Sequence, residues 1–463
     1  MYRKWVWVGV VFTLVFLGVT STGSAQSRNA RADQQFIRDL HKINYVIVIY
    51  QENWSFDGLY GKFPGANGLE NAKSASPQLT LNGDPVSALP IVLNDKGRAD
   101  KRFPPENGEG TIPAVPFDLT KYIKAEDLTG DLVHRFYHEQ LQIDGGKMDK
   151  FVAWSDNGGL VMSYFDASNM PEGLLAQEFT LCDNVFHSAF GGSFLNHQFL
   201  IAAAPPTWPN APASAISNRE NLKDNVVTPD GFAVNTVFSV NAPHPQGIPV
   251  NKLLPQQTNP TIGDRLTDKS ISWRWYSGGW DNAVAGRPDR EFQYHHQPFV
   301  YYAKYKDGTP ARKEHLQDEE RFFKDLEEDH LPQVSFIKPF AVDNEHPGYA
   351  TLLKGQQHVK KIVDAIRSSP IWSKAVIIIT YDENGGRWDH VAPPVRDRWG
   401  PGTRVPTIVI SPFAKKGKID PTQYETLSIL KLLEVRFGLD PLTRRDAAAN
   451  PFRNVFDFGS GTQ

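Results

Sequence analysis

The chain has 463 residues, 40% hydrophobic and 22% charged, with a formal net charge of −3. That balance belongs to a globular protein with a large core, and it excludes a disordered, collagen-like or polybasic nucleic-acid-binding chain. With Cys182 as its single cysteine, the chain can form no intramolecular disulfide, so its stability must come from packing.

The first segment joins a basic start, "MYRK", to an apolar run from Trp5 to Val19 and the small residues of "STGSAQS". This pattern predicts a signal peptide over residues 1–25, cleaved after Ala25, and hence a secreted or periplasmic protein. The rival is an uncleaved anchor, but the run falls short of the roughly 20 residues that a spanning helix needs. No later stretch is apolar for long enough to span a bilayer, so no membrane span is expected in the mature chain.

Length alone allows two or three domains at ~150 residues each, but the remainder is read as one domain over residues 36–460. "INYVIVIY" (residues 43–50) is the first predicted strand, and it runs straight into Glu52, Asn53 and Ser55. Further on, "EFTLCDNVF" embeds Cys182 among apolar residues, where a thiol packs. "HSAFGGSFLNHQFLIAA" follows, a Gly191–Gly192 turn with Ser193 at the cap of an apolar helix. Residues around 205–260 are dense in Pro, Asn and Ser and predict long loops or a small β insertion.

Three more strands come from "QVSFI" (333–337), "AVIIIT" (375–380) and "VPTIVIS" (405–411). Their apolar runs are continuous rather than alternating, as strands covered on both faces require, and parallel pairing is expected. Between the first two, Val359, Ile362, Val363 and Ile366 recur at helical spacing, completing a βαβ unit. "YETLSILKLLEVRF" predicts a last helix stopped by Gly438. The predicted fold is a three-layer α/β/α sandwich around a mostly parallel sheet, with its site outside the carboxyl ends of the strands.

Those strand ends carry the chemistry. Glu52 and Asn53 end one strand, Asp382 and Glu383 end another before the Gly385–Gly386 turn, and Ser193 opens a helix. Converging carboxylates repel unless a positive charge lies between them, and an oxygen-rich set without sulfur suits Mg²⁺, Ca²⁺ or Mn²⁺ and admits Zn²⁺. Each signal has a plainer reading: Glu52 in the first turn of a helix, Ser193 as an N-cap, the acidic pair as an ordinary turn.

Eight stretches in order, among them "INYVIVIYQENWSFDGLYGKFPGANGL", "LCDNVFHSAFGGSFLNHQFLIAA", "EHPGY" and "TYDENGGRWDHVAPP", resemble the phosphoesterase family that unites bacterial acid phosphatases with phosphatidylcholine-type phospholipases C. The resemblance covers about Ile43 to Phe458. It implies an alkaline phosphatase-like fold and one divalent metal ion held by Glu52, Asn53, Ser193, Asp382 and Glu383, with Ser193 as nucleophile. It also implies a phosphate pocket lined by His134, His295, His296 and His346, with His138 an alternative to His134. Many relatives have Arg where this chain has Trp54, which bears on leaving-group contacts.

The expected activity is hydrolysis of phosphate monoesters through a phosphoseryl intermediate, with phosphodiester cleavage by a phospholipase C as the alternative. Ranked lower are an inactive binding protein of the same fold and a sulfate-ester or phosphonate hydrolase. The expected ligand is a small phosphate ester or a phospholipid headgroup, and nucleic acid is not expected. Protonated histidines would favour activity below neutral pH. His390, seven positions after Glu383, either folds back to the metal or braces its loop against Asp389.

Overall fold

The computed structural model describes residues 31–94, 96–104, 111–218 and 224–459. The expected signal peptide, 1–25, lies outside the described residues. The chain divides into an N-terminal unit ending at Lys42, whose described part is chiefly a helix over 31–40, and a second unit from Ile43 onward. No helix among the described residues is long and apolar enough to cross a membrane.

The second unit is built on an eight-stranded sheet. In chain order its strands are β1 (Tyr45–Gln51), β2 (Thr180–Cys182), β3 (Trp273–Ser277), β4 (Leu316–Asp318), β5 (Val334–Lys338), β6 (Ala375–Tyr381), β7 (Thr407–Ile410) and β8 (Lys418–Asp420). Across the sheet they run β8-β2-β7-β6-β1-β5-β3-β4. Successive side chains of a strand point to opposite faces, so the complete burial of β5, β6 and β7 means that both faces are covered. The covering helices include α1 (Phe136–Ile143), α2 (Pro171–Glu178), α3 (Ser193–Ala202), α4 (Glu319–Glu327), α5 (Leu352–Arg367) and α6 (Leu427–Phe437). α5 packs on α2 and α6 on α3, and Gly438 closes α6 in a left-handed conformation. The architecture is an α/β sandwich.

Two details differ from the sequence reading. The strand from "VPTIVIS" is antiparallel to β6 and to β2, whereas the other pairings in the sheet are parallel. A parallel neighbour needs a crossover that returns the chain to the far end of the sheet. The 382–406 segment contains no helix and re-enters from the end at which β6 leaves. The βαβ unit, in turn, does not join neighbouring strands, because β1 lies between β5 and β6.

Residues 205–260 carry isolated bridges such as Thr207 to Phe232 and Ser239 to Leu254, with 3₁₀ turns at Ala213–Ala215 and Val250–Lys252.

Register positions the site. β1 pairs with β6 so that Gln51 lies opposite Tyr381, and the Asp382 N–H donates to the Gln51 carbonyl at 3.0 Å. Glu52 and Asp382 therefore leave the sheet side by side. On the other flank Ile49 lies opposite Ile337, which brings Lys338 to the same rim.

Because β6 is packed on both faces, Ile378→Ala should destabilise the fold by ~2–5 kcal/mol, the range for truncating a buried aliphatic side chain. Urea denaturation measures this, and a loss well under ~1 kcal/mol would contradict two-sided burial.

Candidate active site

Glu52, Asn53, Asp382 and Glu383 are buried, and Ser193 is 5% exposed. Ser193 is the first residue of α3 and Gly192 is the N-cap, so its side chain does not cap its own helix. Ser193 Oγ instead lies 3.5 Å from Asn53 Oδ1. Glu52 is likewise not in a first helical turn. The short helix after it runs Phe56–Tyr60, capped by Ser55, whose hydroxyl accepts from the Gly58 N–H. Asn53 takes a positive φ of 69°. Gly385 packs against it so closely that a Cβ would sit 2.4 Å from the Asn53 carbonyl oxygen.

Two of the three carboxylates meet one ammonium. Lys338 Nζ lies 2.6 Å from Glu52 Oε1 and 3.9 Å from Asp382 Oδ2. Lys338 was not singled out in the sequence, although "SFIKP" ends a strand on a polar group just as "IIITYDE" does. Asp382 Oδ2 and Glu383 Oε1 are buried without a hydrogen-bond partner. Burial pushes the Asp382 carboxyl up to about 6, with Lys338 opposing and Glu52 adding to the rise. Burial and then Asp382 push Glu383 well up. Glu52 goes the other way, because His296 and Lys338 outweigh the cost of burying its charge. One ammonium does not satisfy the oxygens of three buried acids, and Asp382 Oδ2 and Glu383 Oε1 are left over. This donor set fits one hard divalent cation.

The histidines stand around this core. His296 Nε2 contacts Glu52 Oε1, and His346 Nε2 lies 3.8 Å from Glu52 Oε2. His134 Nε2 lies 3.7 Å from Glu383 Oε1, and the half-buried His295 ring meets His296 edge-on. His134 Nδ1 faces the Leu132 carbonyl at 2.5 Å, and His346 Nδ1 faces the Pro347 carbonyl at 2.5 Å. Each ring thus keeps Nδ1 on the backbone and presents Nε2 to the site.

His197, one turn after Ser193, follows the same rule, with Nδ1 2.7 Å from the Ser193 carbonyl and its ring stacked on His296. The sequence reading missed it. Its position four residues from Ser193 was the available signal. Tyr349, also missed, donates to Glu52 Oε2 at 3.1 Å.

The expectation of protonated histidines is corrected for two of them. Burial holds His295 well below its ordinary range and, with the Lys338 charge, brings His296 down to about 4. An incoming phosphate anion would oppose both shifts.

A cavity of about 500 Å³ opens beside Ser193 and Glu52. Glu52, His134, Ser193, His295, His346 and Tyr349 line its inner part, joined by Asp131, Arg135, Asp156, Asn235 and Gln293. Other candidates lie elsewhere. His138 is tied to Asp224 at 2.9 Å and does not line the cavity. His390 braces its loop, but against Asp57 at 2.7 Å rather than Asp389, whose carboxylate is taken by Arg404. Trp54 is buried and donates to the Glu345 carbonyl at 3.2 Å, with the Arg387 guanidinium 4.0 Å above its ring. It packs in the core rather than against a leaving group.

A mostly parallel sheet whose strand ends gather a serine, an amide and three carboxylates beneath a histidine-lined cavity places the chain among α/β proteins with a strand-end site. The phosphoesterase family model matches residues 43–440, and the chain belongs to that family. It is 26% identical to the non-hemolytic phospholipase C of Pseudomonas aeruginosa over 91% of its own length and 58% of that protein's. It is 25% identical to phospholipase C B of Mycobacterium tuberculosis, over 91% of this chain and 79% of the relative. Similar solved structures include an alkaline phosphatase superfamily protein from Vibrio parahaemolyticus, with TM-score 0.34 and 10% identity over 60% of this chain and 62% of that one.

Behind the site lies a second carboxyl pair. Tyr381 OH lies 2.6 Å from Glu345 Oε2 and 3.1 Å from Glu172 Oε2, while Gln51 Nε2 donates to Glu345 Oε1 at 2.8 Å. Burial raises Glu345 to about 7, and burial plus the Glu345 charge raises Glu172 well above the usual range. A carboxyl whose folded value is raised stabilises the fold fully at low pH. That contribution is lost as pH rises from the ordinary carboxyl range near ~4.3 through about 7. Glu172→Gln should flatten this decline, worth on the order of 3 kcal/mol in wild type, in denaturant titrations across the range. An unaltered pH slope would show that the pair does not share a proton.

Proposed function

We propose that this chain is an exported, metal-dependent phosphoesterase that hydrolyses small phosphate monoesters through Ser193. The observation that carries the reading is Ser193 Oγ beside Asn53 Oδ1, at the N-terminus of α3 and at the edge of the three-carboxylate cluster. Glu52, Asn53, Ser193, Asp382 and Glu383 would hold one divalent cation. When bound, the ion lowers the cost of ionising the serine and neutralises phosphate oxygen charge.

The rest is carried by the chain. The helix N-terminus favours an anion next to Ser193. His134, His295 and His346 line the cavity and would donate to the non-bridging oxygens of a monoester, with His296 behind them on Glu52. In this scheme Ser193 Oγ gives its proton to a neighbouring base as it bonds to phosphorus, the P–O bond to the leaving alcohol breaks and that oxygen takes a proton from one histidine. Water then cleaves the phosphoserine bond, restoring the hydroxyl and releasing phosphate. Lys338 stays fixed between Glu52 and Asp382 and holds them apart in charge.

Phosphodiester cleavage is the second reading, supported by relatives named as phospholipases C. The cavity, at about 500 Å³, has room for a headgroup. Export is supported by the pattern of residues 1–25.

Ser193→Ala should lower turnover of p-nitrophenyl phosphate by ~10³-fold or more. Chelation should abolish wild-type turnover, with recovery on return of one of Mg²⁺, Ca²⁺, Mn²⁺ or Zn²⁺. Retained activity in either case refutes the mechanism. p-Nitrophenylphosphorylcholine turned over faster than p-nitrophenyl phosphate would assign the diester reading instead.

A further inference from the structure

The turn that delivers Ser193 is held from outside by a buried acid and a buried histidine. Glu139, on α1, is 1% exposed and His187 is fully buried. Glu139 Oε2 accepts from the Gly191 N–H at 2.6 Å, two residues before Ser193. Glu139 Oε1 accepts from the Thr403 N–H at 3.0 Å and faces His187 Nε2 at 2.9 Å. The other nitrogen, His187 Nδ1, faces the Ala189 carbonyl at 2.8 Å.

Both partners of the His187 ring are acceptors, and Glu139 already receives two backbone N–H groups. The ring therefore bridges the Ala189 carbonyl and the Glu139 carboxyl. The pair then grips the turn at two points, Ala189 and Gly191. Space for it depends on Gly402, where a Cβ would stand 2.1 Å from the His187 ring. Asn196 completes the hold from within α3, with its Nδ2 donating to the Ala189 carbonyl at 3.0 Å and the Gly191 carbonyl at 3.2 Å.

A buried polar pair of this kind is costly to keep and is not by itself a source of stability. Its placement is informative. Glu139 sits five residues after His134, which lies just before α1, so one short segment carries both a histidine of the cavity and the acid that fixes the nucleophile turn. Gly192 also packs on that segment, its missing Cβ 2.8 Å from the His134 carbonyl.

We propose that Glu139 and His187 are positioning residues. Together they set the distance between the Ser193 hydroxyl and the His134 edge of the cavity, and neither touches substrate. This rests on Ser193 being the nucleophile.

The test compares Glu139→Gln, His187→Gln and Ser193→Ala in the full-length metal-loaded protein, with p-nitrophenyl phosphate as probe. Glutamine at 139 turns an amide donor toward either the Gly191 N–H or the histidine. kcat should fall ~10–100-fold with KM within about threefold, because a displaced nucleophile loses alignment but not ground-state binding. Amide exchange at Gly191 should quicken. His187→Gln keeps the acid on Gly191 but loosens Ala189, and should cost kcat about tenfold.

A purely structural role predicts a lower melting temperature with kcat per folded molecule within about twofold of wild type, and that outcome overturns the proposal. So does a loss expressed in KM alone. If Glu139→Gln does not fold, His187→Gln decides by the same criteria. Activity surviving in Ser193→Ala refutes the nucleophile assignment instead, while an inactive Ser193→Ala beside a fully active Glu139→Gln refutes only the clamp.

Discussion

Electrostatic repulsion among Glu52, Asp382 and Glu383 is the constraint around which the rest of the molecule is arranged. The parallel registers of β1 with β6 and with β5 force two of these acids and Lys338 onto one rim. Burial removes the water that would otherwise screen them. One ammonium cannot balance three carboxylates, and the raised Asp382 and Glu383 values record the deficit. A buried cluster of this kind is chemically suited to hold a hard cation.

Around that core the chain spends polar side chains on fixing geometry. Three histidines, 134, 197 and 346, each place Nδ1 against a backbone carbonyl, and His134 and His346 turn Nε2 to the site acids. Asn196, Glu139 and His187 secure the Ser193 turn, and the Glu172–Glu345–Tyr381 cluster supports the strand ends from behind. Such preorganisation suits phosphoryl transfer, where positioning and charge stabilisation supply most of the rate. Arg404, buried between Asp57 and Asp389, plays the corresponding part for the loop that carries His390.

Much of this was readable in the residues. The apolar runs at 43–50, 333–337, 375–380 and 405–411 are strands because their composition suits two-sided burial, and α5 follows from Val359, Ile362, Val363 and Ile366. The motif resemblance brought Glu52, Asn53, Ser193, Asp382 and Glu383 onto one page, and the fold sets them at one rim. Strand direction was not readable for β7, because apolar composition is the same whichever way the strand runs. Lys338 escaped notice because a single lysine after an apolar run usually marks a solvated strand end. His197 was hidden inside an apolar helix, where its ring reads as core.

The sequence by itself determined four of the eight strands, β1, β5, β6 and β7, and the helices α3, α5 and α6, that an oxygen-rich set ends the strands, and which family the motifs belong to. These are local properties, set by side-chain periodicity and by the chemistry of short stretches. Tertiary structure alone decided that Lys338 answers the acids, that His390 pairs with Asp57, that His138 is spent on Asp224, and that Glu139 reaches across to Gly191. Each of these depends on which distant residues burial brings within about 3–4 Å, the range over which hydrogen bonds and ion pairs in a dry interior act strongly.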